Sequence, residues 1–157
     1  MLPVRARLLS LLVLLLCSFG AMPAQEDAVK KELAKMEGVW RVVRGEEDGK
    51  PSSDYLIEHL QWDIKGDQLL FKGIKPLTDR ASKLTIKLDP STTPRCIDLK
   101  IEAGSLKGSV LEGVYEWKGN QLRLCLYVAS GDRQRPLEFE TRPGSNRVLF
   151  LLKREKP

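Results

Sequence analysis

Apolar residues recur at every second position over most of this chain, and the most regular stretch is SVLEGVYEWKGNQLRLCLYVA, from Ser109 to Ala129. That period predicts two strands joined by a two-residue turn at Gly119-Asn120, which places Trp117 opposite Leu122, Tyr115 opposite Leu124 and Gly113 opposite Leu126. One face is then Leu111, Gly113, Tyr115, Trp117, Leu122, Leu124, Leu126 and Val128, and it is expected to point into a core. The other face carries Val110, Glu112, Val114, Glu116, Arg123, Cys125 and Tyr127, with Glu116 across from Arg123. A one-residue slip would turn every leucine to water, so the register is strongly specified. A second hairpin is predicted in WDIKGDQLLF, residues 62–71, where Gly66-Asp67 is the turn and Trp62 and Ile64 face Leu69 and Phe71. Its likeness to YEWKGNQLRL, residues 115–124, is confined to ten residues and reads as one good turn used twice.

The remaining pattern supplies a helix and further strands. Glu26 to Met36 carries Val29, Leu33 and Met36 on one stripe and predicts a short amphipathic helix. Gly38 opens a strand through about Glu46 with Trp40 and Val42 on one face, ended by Asp48-Gly49-Lys50-Pro51. Ser52 or Ser53 suits the cap of one helical turn. Lys83 to Leu88 and Arg95 to Glu102 are strands separated by the turn-rich Asp89-Pro90-Ser91-Thr92-Thr93-Pro94. Leu137 to Thr141 and Arg147 to Lys153 are read as the last two strands. About nine strands in hairpin succession exclude a parallel α/β sheet and predict an all-β, antiparallel meander of eight or nine strands. Closure into a barrel would remove its exposed edges.

The first residues break the pattern. Arg5 and Arg7 precede an apolar run from Leu8 to Leu16 that is followed by small residues, the layout of a secretory signal peptide. The run is shorter than the roughly 20 residues a membrane-spanning helix needs. Cleavage after Ala24 gives a leader of residues 1–24 and a domain of residues 25–157; cleavage after Gly20 is the other option. Cys17 raises lipid attachment, and Leu16, where that motif takes a small residue, argues against it. The expected address is periplasmic or extracellular. The whole chain of 157 residues has a formal charge of +5, and removal of Arg5 and Arg7 leaves a small, interspersed excess that gives no cause to expect nucleic acid. Of the two cysteines left, Cys96 and Cys125 both alternate outward. One strand between them would hold their Cα atoms roughly 10 Å apart, so two free thiols are expected.

Gly38-Val39-Trp40 after a short helix, with Arg154 at the end of the last strand, is similar to the lipocalin pattern. In that family the tryptophan closes one end of an eight-stranded barrel and a basic residue packs across it, so the resemblance implies structural closure by Gly38, Trp40 and Arg154. Four further blocks, MEGVWRVVRGEEDGKP, LDPSTTPRCIDL, LEGVYEWKGNQLRLC and RPLEFET, resemble in order and spacing a functionally unassigned secreted domain family of planctomycete bacteria regarded as lipocalin-like. Departures are Trp117 and Asn120, where that family has an aliphatic residue and an aspartate, and Cys96 in place of alanine. The resemblance implies a lipocalin-like, calycin-type barrel and brings no activity with it.

Chemistry-bearing motifs are few. His59 is the sole histidine and has no nucleophile-elbow sequence to serve. Neither CxxC, HExxH nor a phosphate-binding glycine loop occurs, so no catalytic residue, metal or cofactor is expected. Asp63, Asp98, Glu112, Glu116, Glu138 and Glu140 alternate away from the core and read as solvated surface. Arg133 and Arg135 read as a solvated loop, with the rim of an anion-binding mouth as the sharper option. The inward aromatics suggest a ligand cavity in the barrel interior, with Trp62, Phe71, Tyr115, Trp117 and Leu124 as candidate binding residues. The expected function is non-enzymatic binding of a small hydrophobic or amphipathic ligand. The alternative is a solid-cored barrel that docks an envelope protein partner on its outer face through Val110, Val114, Cys125 and Tyr127.

Overall fold

Strands β7 (Val110–Lys118) and β8 (Gln121–Tyr127) pair antiparallel with Trp117 opposite Leu122, Tyr115 opposite Leu124 and Glu116 opposite Arg123, the register the alternation predicts. The structure is a computed structural model describing residues 22–129 and 134–156. The expected leader with Arg5, Arg7 and Cys17 falls outside the described residues over positions 1–21, and so does Arg133. Helix α1 (Met22–Met36) leads into β1 (Gly38–Glu47), a two-residue β2 (Lys50–Pro51), and α2 (Asp54–His59), capped by the Ser53 side chain. The second predicted hairpin is β3 (Gln61–Lys65) and β4 (Gln68–Lys72), with Trp62 opposite Phe71 and Ile64 opposite Leu69. Helix α3 (Lys75–Arg80), β5 (Lys83–Asp89), β6 (Arg95–Ala103) and β9 (Arg147–Arg154) complete the elements.

Strand β1 pairs with β3, each strand from β3 to β9 pairs with the next, and β9 returns to pair with β1, Trp40 opposite Arg154 and Glu47 opposite Val148. The result is a closed antiparallel barrel of eight strands, with β2 as an extra strand beside the end of β1. A bulge between Val42 and Arg44 leaves Val43 unpaired and exposed. The interior is the core: Trp40, Trp62, Leu69, Leu84, Leu99, Tyr115, Leu122, Leu124 and Leu152 are all at most 1 % exposed. At Gly113 the wall is tight, since a Cβ would lie 2.5 Å from both the Cys125 carbonyl oxygen and a Leu126 methyl.

Leu137 to Thr141 is not a strand. Both edges of β8 are taken, by β7 and β9, so no ladder position is left for it. Residues 134–141 instead form an irregular strap, bent at Leu137–Phe139, across the outside of the wall. Arg135 reaches the Ile97 and Gly113 carbonyls and pairs with Asp98 at 2.6 Å and Glu112 at 3.8 Å. Further on, Arg123 donates to the Phe139 carbonyl at 2.9 Å with its guanidinium over the Phe139 ring, and the Cys125 thiol meets the Glu140 carbonyl. The outward face of β7 and β8 is therefore partly covered: Val114 and Cys125 are buried. Cys96 and Cys125 are both free and flank β7 at Val114, one strand apart.

The turn that follows the strap and leads into β9 is pinned to Asp48. The Asp48 carboxylate accepts from the Gly144 and Asn146 backbone N–H groups at 3.0 and 2.9 Å, and Asp48 N donates to the Arg147 carbonyl. Those donors hold the Asp48 carboxyl below the usual carboxylate range.

Candidate ligand cavity and barrel closure

The two ends of the barrel differ. At one, where β1 begins and β9 finishes, α1 lies across the opening with Val29 and Leu33 against the core and Met36 fully buried. Its Glu32 carboxylate accepts from Tyr115 Oη at 3.2 Å and Trp117 Nε1 at 3.0 Å, while Trp40 Nε1 donates to the Met36 carbonyl at 2.8 Å. Burial, and secondarily the Glu32 charge, push the Tyr115 phenol far above its ordinary value. The Arg154 guanidinium stacks 4.6 Å from the Trp40 ring centre and donates to the Lys35 carbonyl, tying the last strand to the helix. Gly38, at φ 123°, runs beneath it: a Cβ there would touch Arg154 Cδ and Nε at 3.4 Å in a backbone region side chains avoid. Gly38, Trp40 and Arg154 thus meet in one layer at the helix-covered end.

The other end is hollow. A cavity of about 360 Å³ opens there, walled by Trp62, Phe71, Ile101, Leu111, Leu126, Val148 and Phe150, with Leu56 on α2, Leu60 just after it and Leu77 on α3. Glu47 and Arg80 stand in its wall, both exposed. Trp62 packs against Phe71 and Phe150 with ring centres 5.0 and 6.0 Å away. Its indole Nε1 is buried and has no hydrogen-bond partner, in contrast to the indoles of Trp40 and Trp117.

Of the five residues proposed for the interior site, Trp62 and Phe71 line this cavity. Tyr115, Trp117 and Leu124 do not: Trp117 and Tyr115 bond to α1 at the covered end, and Leu124 is fully buried in the packed middle of the barrel. Phe150 has no inward signal in the sequence, because RVLFLLKR, residues 147–154, is apolar in both phases and leaves its inward set undecided. Leu56 and Leu77 carry no signal in the sequence, because each sits on a six-residue helix, too short to show a period. His59 is exposed at the end of α2, where its ring stacks on Tyr55 and Nδ1 lies 2.9 Å from the Tyr55 carbonyl.

An eight-stranded antiparallel barrel covered at one end and hollow at the other is compatible with a lipocalin-like binding fold. No family model, curated protein or solved structure matches the chain. Among the described residues no helix is long and apolar enough to cross a membrane.

Proposed function

We propose that this protein is an exported, non-enzymatic, lipocalin-like binder that takes one small hydrophobic or amphipathic molecule into the hollow end of its barrel. The observation that carries the reading is the cavity of about 360 Å³ with its aromatic and aliphatic wall. Ligand pockets begin at about 300 Å³ and are mainly apolar with few polar groups, which this one matches. Eight strands enclose an interior just wide enough to be filled by side chains or to hold one small ligand, and this barrel divides itself between the two. Export to the periplasm or beyond rests on the basic and apolar layout of residues 1–24 and on the likeness to the secreted planctomycete domain family. The non-enzymatic reading rests on the lack of a catalytic motif and on the exposed position of His59.

The alternative, a module that docks an envelope protein on its outer face, is weakened because the strap already covers Val114 and Cys125. Native mass spectrometry of the mature protein purified from its own envelope, beside a denatured run, separates the two. A small molecule released on denaturation is the expected result. A bare monomer, or a protein carried along in its place, would overturn the carrier reading.

A further inference from the structure

We infer that the molecule taken into the cavity presents a hydrogen-bond acceptor, a carbonyl or ether oxygen, to the indole N–H of Trp62. The inference rests on the cavity reading above and names the chemistry of its occupant. The chain has three tryptophans, and two of their indole N–H groups are satisfied within the fold, by the Met36 carbonyl and by Glu32. The third belongs to Trp62, which is 1 % exposed and forms part of the cavity wall, and it has no acceptor. More than nine in ten buried polar groups in folded proteins are paired, and an unpaired buried donor costs free energy unless something supplies the acceptor.

The same region holds a second orphan. Ser52 Oγ is buried without a partner and lies against Gly45, whose strand position is opposite Phe150. Phe150 borders both the cavity and the Trp62 ring. A pure hydrocarbon would fill the space and leave the indole donor unanswered. An oxygen-bearing molecule answers it once the Phe150 or Phe71 ring, each 8 % exposed or less, shifts to admit the occupant to the indole edge.

Acetophenone and α-methylstyrene test this, because they share one shape and differ in a carbonyl against a methylene. The expected result is that Trp62→Phe weakens acetophenone binding about tenfold and leaves α-methylstyrene within about twofold. In the unaltered protein, the Trp62 indole proton resonance should move downfield with the ketone and not with the alkene, a readout that does not depend on the variant's folding. Equal weakening of both probes, or an indole resonance indifferent to the ketone, would overturn the inference and leave the cavity reading standing. If neither probe bound the unaltered protein, both readings would fall.

Discussion

Arg154 holds its guanidinium 4.6 Å from the centre of the Trp40 indole, joining the last strand of the barrel to the first at the end covered by α1. Both members sit where their strands pair, so register and stacking enforce one another. Arg154→Ala should lower stability by about 1 kcal/mol, the scale of an exposed cation–π contact together with its bond to the Lys35 carbonyl. Arg154→Lys should recover only part, because an ammonium cannot lie flat on the ring. Chemical denaturation of the three proteins checks this.

Glu32 is the acceptor that seats α1 on the barrel. Glu32→Ala leaves the buried Tyr115 hydroxyl without its acceptor and should cost about 1–3 kcal/mol, with earlier proteolysis within α1. The raised Tyr115 value has a sign to test. Below its ordinary value of 10.0 the phenol is neutral both folded and unfolded. Above it only the unfolded chain ionises, so stability falls as pH rises through the alkaline range. In an ultraviolet titration, the Tyr115 phenol should ionise at a lower pH in Glu32→Gln than in the parent protein.

Asp48 gives the opposite slope. Its carboxyl is held low by the Gly144 and Asn146 N–H donors, so its contribution is present above the ordinary carboxylate value and lost as pH falls through the depressed one. Asp48→Asn, which tolerates the positive φ of 51° at this site, should be less stable than the parent at neutral pH and converge with it in acid. Thermal unfolding at pH 7 and at about pH 2 decides.

The strap makes one thiol much less accessible than the other. Cys125 is fully buried beneath the Glu140 carbonyl with its thiol pushed up by burial, while Cys96 is half-buried. A thiol reagent should label Cys96 first. Arg135→Ala removes the pairing with Asp98 and the bonds to Ile97 and Gly113, and should speed Cys125 labelling about tenfold. Unchanged Cys125 reactivity would show that Arg135 does not hold the strap down.

What the chain discloses by itself depends on how local the deciding physics is. The hairpin turns at Gly66-Asp67 and Gly119-Asn120 set register within ten residues, and the observed pairs follow. Leu137 and Phe139 alternate like strand residues, yet Leu137 is 78 % exposed and Phe139 sits under Arg123. Alternation marks a segment that could serve as a strand; whether a neighbour has a free edge is settled only when β9 closes on β1, and this segment bends at Leu137–Phe139 instead. For the same reason the inward faces of the alternating hairpins were legible, but that of β9, apolar in both phases, and the hollow end were not. Which half of the interior is filled depends on Glu32 reaching Tyr115 and Trp117 across the barrel, a contact between residues far apart in sequence.

The pairing of β1 with β9 also has a cost in time. These strands are the first and the last of the barrel in sequence, and Trp40 cannot meet Arg154 until nearly everything between them has been gathered. Such non-local closure slows folding, because loop entropy is spent before the contact repays it. Until then the apolar edges of GVWRVVRGEE and RVLFLLKR lie open to other chains. This barrel should therefore refold slowly and cleanly when dilute, and aggregate increasingly as the concentration of refolding chain is raised.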